Sequence, residues 1–226
     1  MTDSGQKALI LLTNDDGIGA RGLEVLEEQM HRVGEVWVVA PAEEQSAVGH
    51  GISLARPLRM EQRGERRFCV TGTPADAVIM ALHEICPRQP DLVLSGINHG
   101  LNLGTDVFYS GTVAGAMEAA IRGLRGLAVS QDIPARGAGG GEALEAQLVR
   151  TARLAAAVSS WALQNPPPRG TVLNLNAPAN LSERFRVTRL GPRVYRETVE
   201  RRLDLRGVPY YWIGGSGYQF TDIPGS

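Results

Sequence analysis

Residues 8–17 have the sequence ALILLTNDDG, a continuous apolar run that ends in a polar turn. Such a run indicates a strand that is buried on both faces, as in a parallel sheet. Apolar residues then recur at helical spacing from Leu23 to Val33, and a second apolar run covers Val36 to Ala40. Strand, helix and strand in this order predict a right-handed parallel crossover at the start of the chain.

The same alternation continues along most of the chain. Strand-sized apolar runs recur at residues 92–95, 127–129 and 172–175, with amphipathic stretches between them. Residues 51–60 and 66–71 alternate around a polar turn, which predicts a β-hairpin excursion projecting from the sheet. We therefore expect an α/β protein with a Rossmann-like, doubly wound, mostly parallel sheet.

The composition changes after about Pro178. Residues 1–178 carry the alternation of strands and helices, whereas residues 179–226 hold short β-like pieces rich in arginine and tyrosine. We expect a catalytic core over the first range and a β-rich C-terminal arm or hairpin over the second. Arms of this kind more often form contacts between subunits than sites.

Charge and cysteine content exclude several classes of protein. The formal net charge is −1, and the basic residues, of which only Lys7 is a lysine, are spread along the chain, so a dedicated nucleic-acid binder is not expected. Cys69 and Cys86 are too few for a disulfide framework or a thiolate metal cluster. The longest apolar runs have the length of strands, so we expect a cytoplasmic protein with neither a membrane span nor a signal peptide.

An acidic pair follows the first predicted strand. Ligands of open α/β sheets bind beyond the carboxyl ends of the strands, which is where Asp15 and Asp16 lie. Two adjacent carboxylates repel each other unless a cation lies beside them or they share a proton. In the alternative, structural interpretation, one aspartate caps the next helix and the other is solvated.

Three further loops after strands carry unusual residues. Ser46 lies in the loop at residues 41–51, and the segment from Ser95 to Gly104 combines asparagines with glycines that let the backbone approach a ligand closely. Residues 109–113 place hydroxyls at a helix start, which is typical of a phosphate site. The same hydroxyls could instead serve only as the helix N-cap.

The combination of these loops predicts metal-assisted phosphate ester hydrolysis. Hard oxygen ligands select Mg²⁺, Mn²⁺ or Ca²⁺ over zinc, and the candidates are Asp15, Asp16, Ser46 and Asn98. The candidate oxyanion cradle consists of Asn102, Ser110, Gly111 and Thr112. A divalent ion beside a phosphate neutralises charge on the transferring group and lowers the pKa of a bound water.

At these residues the chain resembles the stationary-phase survival protein family (SurE), whose members are metal-dependent nucleotidases. The stretches that carry the resemblance are, in chain order, LLTNDDGIGARGLEVL, VVAPAEEQSAVGHGISL, VTGTPADAV, PDLVLSGINHGLNLGTDVFYSGTVAGAMEA and VLNLNAP. They extend from the first predicted strand to Pro178. A match of this length across separate motifs is highly specific.

The resemblance implies a function. It implies a 5′-nucleotidase, or acid phosphatase-type phosphoric monoester hydrolase, that uses metal-bound water to convert nucleoside 5′- and 3′-monophosphates to nucleoside and phosphate. Polyphosphate is a further substrate of some members. It implies one divalent cation per subunit, held by Asp15, Asp16, Ser46 and Asn98, with the two aspartates also catalytic. The implied phosphate and substrate residues are Asn14, Asn102, Ser110, Gly111 and Thr112.

Two departures from the family pattern bear on these expectations. Members often have Ser-Gly where this chain has Ser46-Ala47, so the serine keeps its place only if the loop tolerates a Cβ. Members form oligomers through swapped C-terminal segments and usually continue past the equivalent of Ser226. We expect a homodimer or homotetramer, with a metal site that lies wholly upstream of the missing segment.

The sequence is also compatible with other roles for these residues. His50 and His99 flank the candidate site, and either could protonate the leaving alkoxide or only line the site. One aspartate could attack phosphorus directly, although the water route is simpler if both aspartates hold the metal. A receiver-like signalling module also has an acidic pair after its first strand, but it needs a later aspartate where Ser95 stands and a lysine after another strand. A nucleotide sensor without turnover would carry the same motifs.

Overall fold

The computed structural model describes residues 7–132, 141–180, 185–195, 198–214 and 218–220. The chain divides into two compact units. The larger consists of Met1–Asn102 and Val107–Glu183, and the smaller consists of Leu103–Asp106 and Arg184–Ser226. In the described part of the chain, no helix has the length and apolar character that crossing a bilayer requires.

The larger unit is built on a seven-stranded sheet. Its strands are β1 (Leu9–Thr13), β2 (Glu35–Pro41), β3 (Met60–Gly64), β4 (Arg67–Val70), β5 (Leu92–His99), β6 (Gly126–Gln131) and β7 (Val172–Ala177). The strand order is β3-β4-β2-β1-β5-β6-β7, and every pair of neighbours is parallel except β3 and β4. The predicted mostly parallel, doubly wound α/β sheet is confirmed.

Helices cover both faces of this sheet. They are α1 (Arg21–Met30), α2 (Pro74–Met80), α3 (Gly111–Ile121) and α4 (Glu142–Gln164), with a π-helical turn at Ala81–Ile85 after α2 and a 3-10 turn at Gly104–Phe108. Residues of α1 and α4 pack in one apolar core, and residues of α2 and α3 pack in another. Strand β1 supplies side chains to both cores, because Leu12 lies in the first and Leu11 in the second. An uninterrupted apolar run is what a strand between two cores requires.

The predicted hairpin differs from the observed one. Strand β3 begins only at Met60, and β4 pairs in parallel with β2, so the hairpin forms the edge of the main sheet rather than projecting from it. The beginning of the segment at residues 51–59 is held by the start of α2 instead. The Ser53 N–H donates to Asp76 Oδ1 at 2.9 Å, and Thr73 Oγ1 donates to the Gly51 carbonyl at 2.7 Å.

The third long strand extends further than predicted. The sequence indicated a strand ending at Ser95, but β5 continues to His99. The pairing of β5 with β6 shifts register between Ser95 and Asn98 and then resumes with Asn98 opposite Ser130. Asn98 therefore lies near the end of β5 where that strand is paired with β6. This pairing limits how far the residue can move.

The smaller unit contains two antiparallel strand pairs. Strand β9 (Thr198–Leu203) pairs with β10 (Pro209–Gly214), and β8 (Arg193–Tyr195) pairs with β11 (Tyr218–Phe220). The β9–β10 hairpin exposes several large apolar side chains: Val199, Leu203, Tyr211, Trp212 and Ile213. Residues 181–184, 196–197, 215–217 and 221–226 of the predicted arm lie outside the described residues.

Candidate metal and phosphate site

Asp15 is the point at which three loops meet. It follows β1, it is buried, and its backbone carbonyl accepts a 2.7 Å hydrogen bond from the Gln45 N–H in the loop after β2. Its carboxylate accepts hydrogen bonds from both the hydroxyl and the backbone N–H of Thr112, in the first turn of α3. Burial raises the pKa of Asp15, and the hydrogen bonds from Thr112 oppose that rise.

Asp16 lacks a donor for one of its carboxylate oxygens. Its Oδ2 is buried with no hydrogen-bond partner in the described residues, while the His99 backbone N–H donates to the same carboxylate. Burial, followed by the negative charge of Asp15, raises the pKa of Asp16 to about 6. A cation bound there would give Asp16 Oδ2 a partner. Its positive charge would also offset the repulsion between the two carboxylates.

Ser46 and Asn98 are the two uncharged members of the predicted ligand set. Ser46 is exposed and donates to Glu44 Oε1 at 2.7 Å. Asn98 Nδ2 donates to the Gly100 carbonyl at 2.8 Å, which turns the amide oxygen away from that carbonyl. The described residues include no group of three or more His, Cys, Asp or Glu side chains that could hold a metal. The predicted set contains only two such side chains, so its remaining ligands would have to be the hydroxyl and the amide.

Glu44 is a carboxylate near the site that the sequence analysis did not single out. Its negative charge contributes to the raised pKa of both Asp15 and Asp16, and its side chain holds the Ser46 hydroxyl. The position of Glu44 is visible in the sequence, because this residue stands two residues before Ser46 in the same loop. Acidic residues of surface loops are so common that position alone does not distinguish this one.

The first turn of α3 packs directly on Asp15. Ser110 is the N-cap of α3, and its Oγ accepts the Val113 N–H at 3.0 Å. The N-cap was the alternative to phosphate binding for this hydroxyl. A Cβ built on Gly111 would lie 2.8 Å from the Asp15 Cβ, so only glycine fits there without displacement. The positive end of the α3 dipole therefore lies beside the Asp15 carboxylate, a candidate metal ligand.

The two asparagines predicted to contact substrate are both buried and hydrogen-bonded. Asn14 Nδ2 donates to the Gly17 carbonyl at 2.9 Å and closes the turn after β1, whereas its Oδ1 is buried with no partner in the described residues. Asn102 Nδ2 donates to Ser130 Oγ at 2.8 Å. Their roles in substrate binding stay predictions, as does that of Ser110.

The two histidines have different surroundings. His50 Nε2 lies 2.8 Å from Glu118 Oε2, and the same buried carboxylate accepts from Arg122 Nε at 2.6 Å. Glu118 is seven residues beyond Gly111, about 10 Å further along the axis of α3, so His50 is turned toward the middle of that helix. His99 is exposed, and its main chain contacts Asp16. The partner Glu118 was missed from the sequence, although it is the one charged residue of α3.

Comparison with known proteins assigns the chain to a family. Residues 10–197 match the family model described as survival protein SurE. A relative from Anaeromyxobacter dehalogenans (strain 2CP-C), called 5′-nucleotidase SurE, is 48% identical over 219 residues, which are 96% of this chain and 82% of the relative. A relative of the same name from Sorangium cellulosum (strain So ce56) is 46% identical over 223 residues, covering 97% and 84% of the two chains.

A solved structure agrees with this assignment. The crystal structure of the SurE protein from Aquifex aeolicus superposes with a TM-score of 0.79 at 36% sequence identity. The match covers 96% of this chain and 86% of that one. On the strength of its sequence and of its fold alike, this chain belongs to the SurE family.

Proposed function

We propose that this protein is a metal-dependent 5′-nucleotidase that hydrolyses nucleoside monophosphates to nucleoside and phosphate. Membership of the SurE family supports the proposal, as do relatives at 46–48% identity that carry the name 5′-nucleotidase. The observation that carries it is the packing of Gly111 and Thr112, in the first turn of α3, directly on Asp15. This packing supports a phosphate site at that helix end, beside the candidate cation site.

The donor atoms present fit a hard divalent cation. Asp15 and Asp16, together with Ser46 and Asn98, would hold one ion per subunit, and carboxylate, hydroxyl and amide oxygens suit Mg²⁺, Mn²⁺ or Ca²⁺. The partnerless Oδ2 of Asp16 is the observation that favours such an ion. Bound there, the ion supplies positive charge that stabilises the transition state and makes water more acidic.

Residues of the chain itself bind the phosphate and deliver a proton. Ser110, Gly111 and Thr112 bind the phosphate oxygens at the positive end of the α3 dipole. Thr112 also holds the Asp15 carboxylate in place, so it links the two halves of the site. His99 is better placed than His50 to protonate the leaving alkoxide, because His99 adjoins Asp16 whereas His50 is bonded to Glu118.

The phosphate cradle and the two cysteines bear on substrate range and on location. We include nucleoside 3′-monophosphates and polyphosphate as further substrates, because each presents a terminal phosphate to the same cradle. We also propose a cytoplasmic location. Both Cys69 and Cys86 are free thiols, which is typical of a reducing compartment.

We further propose that residues 1–178 form the catalytic core and that residues 179–226 form an arm that joins subunits into a homodimer or homotetramer. The exposed apolar side chains of the β9–β10 hairpin support this, since a surface of that kind is typical of a protein interface. Replacing Trp212 and Ile213 together by serine should lower the mass measured by light scattering. A mass that stays that of the parent oligomer would assign the interface elsewhere.

Phosphate release from AMP and GMP tests the proposed activity. The parent, which is the protein without substitutions, should release inorganic phosphate with Mg²⁺, Mn²⁺ or Ca²⁺ and release none with EDTA. Asp16→Asn should lower kcat by at least about a thousandfold, because it removes a ligand charge from the site. Glu142→Gln is the matched control, since it removes one negative charge from an exposed position at the start of α4.

Two outcomes would contradict the proposal. Release that persists in EDTA, or in Asp16→Asn at the parental rate, would remove the metal site from the reaction. AMP that binds but is not hydrolysed with any of the three metals would indicate a nucleotide sensor without turnover.

A further inference from the structure

A row of polar side chains crosses the carboxyl ends of three neighbouring strands. Asn98 of β5 lies opposite Ser130 of β6, and Ser130 lies opposite Asn176 of β7. Asn174 precedes Asn176 by two residues, so both side chains project from the same face of β7. The motif VLNLNAP, which the reaction itself does not use, thus places the carboxamide of Asn176 level with a candidate metal ligand and that of Asn174 two residues before it on the same face.

These carboxamides hold the main chain of Asn102. The Asn102 N–H donates to Asn176 Oδ1 at 2.9 Å. The Asn102 carbonyl accepts from Asn174 Nδ2 at 2.9 Å and from Asn176 Nδ2 at 3.1 Å. Ser130 Oγ accepts from the side chain of the same residue at 2.8 Å. Both main-chain polar groups and the side chain of Asn102 are therefore bound by β6 and β7.

The other end of the loop is fixed as well. The Gly100 N–H donates to the Gln131 carbonyl of β6 at 2.9 Å, and the Gly100 carbonyl accepts from Asn98 Nδ2 at 2.8 Å. Residues 98–102 thus span a short loop with hydrogen bonds at both ends and in the middle. Its first residue is a candidate metal ligand and its last is a candidate phosphate ligand.

Polar side chains in a partly buried strand need such partners. The residues that alternate with the two asparagines, Leu173 and Leu175, pack against the main apolar core. On the other face of β7, a carboxamide without a partner would cost about 1–3 kcal/mol. One carboxamide can both donate and accept, so it can satisfy an N–H and a carbonyl of a neighbouring loop at once, as Asn176 does here.

We propose that Asn174 and Asn176 are positioning residues for phosphate hydrolysis: by holding the main chain of Asn102, they fix the spacing between Asn98 and Asn102. The inference rests on the proposed function, because that function makes the spacing matter. Reacting groups displaced by about 1 Å can lose as much as a hundredfold in rate, so a loop of this kind has to be held.

We call the hydrogen bonds from Asn174 and Asn176 to the main chain of Asn102 the clamp. Steady-state kinetics with AMP test it. Asn174→Ala and Asn176→Ala should each raise KM by about fivefold or more and lower kcat/KM by about 10- to 100-fold. A loss of folded protein alone would lower the apparent kcat and leave KM unchanged. Asn165→Ala is the matched control, because Asn165 is an exposed asparagine at the end of α4 whose carboxamide donates to the Trp161 carbonyl of its own helix.

A charge-matched pair of variants separates geometry from charge. Each aspartate variant loses one donor to the Asn102 carbonyl, but Asn176→Asp retains an oxygen that accepts the Asn102 N–H, whereas Asn174→Asp retains no hydrogen bond to Asn102. Both add one negative charge. The KM of Asn174→Asp should therefore exceed that of Asn176→Asp, and equal values would show that charge, not the clamp, is responsible.

A double-mutant cycle tests whether the effect passes through Asn102. If it does, Asn176→Ala should change KM far less in an Asn102→Ala background than in the parent. Hydrogen exchange gives a readout without catalysis: the Asn102 amide should exchange at least about tenfold faster in Asn176→Ala, while the Leu94 amide in the core of β5 stays unchanged. Full additivity in the cycle, or an unchanged Asn102 exchange rate, would overturn the clamp.

The outcomes for the two proposals are distinguishable. If the parent does not hydrolyse AMP, the proposed function fails, and with it the catalytic meaning of the clamp, even where the exchange rate responds. If the parent is active but KM in both alanine variants stays within about twofold of the parental value, the proposed function stands and the positioning role is wrong.

Discussion

Gly111 and Asp15 are in such close contact that the glycine has no room for a side chain. A Cβ on Gly111 would lie 2.8 Å from the Asp15 Cβ and 2.9 Å from its Oδ2. One residue thus starts the helix of the proposed phosphate site, and the other is a proposed metal ligand. Their contact prevents the two halves of the site from coming closer, and the hydrogen bonds from Thr112 to Asp15 keep them from moving apart.

Gly111→Ala should therefore impair catalysis more than folding. The added methyl group must displace the Asp15 carboxylate, and we expect kcat/KM for AMP to fall by about 100-fold or more. Gly19→Ala is the matched control, because nothing lies within 4 Å of a Cβ built there. If Gly111→Ala were as active as Gly19→Ala, the contact would have no part in the reaction.

Thr112 should contribute to stability through its hydroxyl. Thr112→Val keeps the shape of the side chain but leaves the buried Asp15 carboxylate with one donor fewer. In EDTA, urea unfolding should show that Thr112→Val lowers the free energy of unfolding by about 1–3 kcal/mol. Thr112→Ser, which keeps the hydroxyl, should lower it much less. A loss in Thr112→Ser as large as that in Thr112→Val would mean that the methyl group contributes as much as the hydroxyl.

Ala47 has a backbone conformation that favours glycine. Its φ is +59°, and no other non-glycine residue in the described part of the chain has a positive φ. Ala47→Gly should raise the free energy of unfolding by up to about 1 kcal/mol, because it removes the steric cost of the Cβ. The nearby Ala42→Gly should instead lower it by about 0.5–1 kcal/mol. If both variants lowered the free energy of unfolding equally, the Cβ of Ala47 would carry no steric cost.

The Cys86 thiol should resist alkylation in the folded protein. Burial, assisted by the negative charge of Glu35, raises its pKa from the ordinary value of 9.0 to about 12. The thiolate is the reactive form, so at pH 8 it should be about a thousandfold scarcer than in the unfolded chain. Iodoacetamide labelling followed by mass spectrometry, with and without urea, measures the difference.

The sign of the pH effect on stability follows from the same pKa. The unfolded chain loses the Cys86 proton at a lower pH than the folded chain does. Above about pH 9 the Cys86 thiol should therefore cost stability, and the cost should grow as the pH rises toward 12. Comparison with Cys86→Ala isolates this contribution, and an identical pH dependence in the variant would contradict it.

Local signals account for the parts of the fold that the sequence predicted well. The apolar run at residues 9–12 specifies a doubly buried strand without reference to any distant residue. The hairpin bounds were wrong because Gly51 and Ser53 are held by Thr73 and Asp76, about 20 residues later in the chain. Alternation alone cannot indicate that a segment will bind the start of a helix rather than another strand.

The site was predictable as a set of residues but not as a set of contacts. Asp15, Asp16 and Gly111 were identifiable because each follows a strand or starts a helix. The partners of Asn102 lie 72 and 74 residues away, on a strand that nothing in the local pattern connects with it. The pairing of Ser46 with Glu44 depends on side-chain rotamers, which the sequence does not specify.

The loops around Asp15 and Asp16 are joined largely through their main chains. The Gln45 N–H bonds the Asp15 carbonyl at 2.7 Å, and the Ile18 N–H bonds the Pro41 carbonyl at 2.8 Å. Such bonds are indifferent to the side chains that the loops carry, so most positions of residues 42–48 can be exchanged while the aspartates stay in place. That segment is accordingly where directed evolution could alter metal or substrate preference at the least cost to folding.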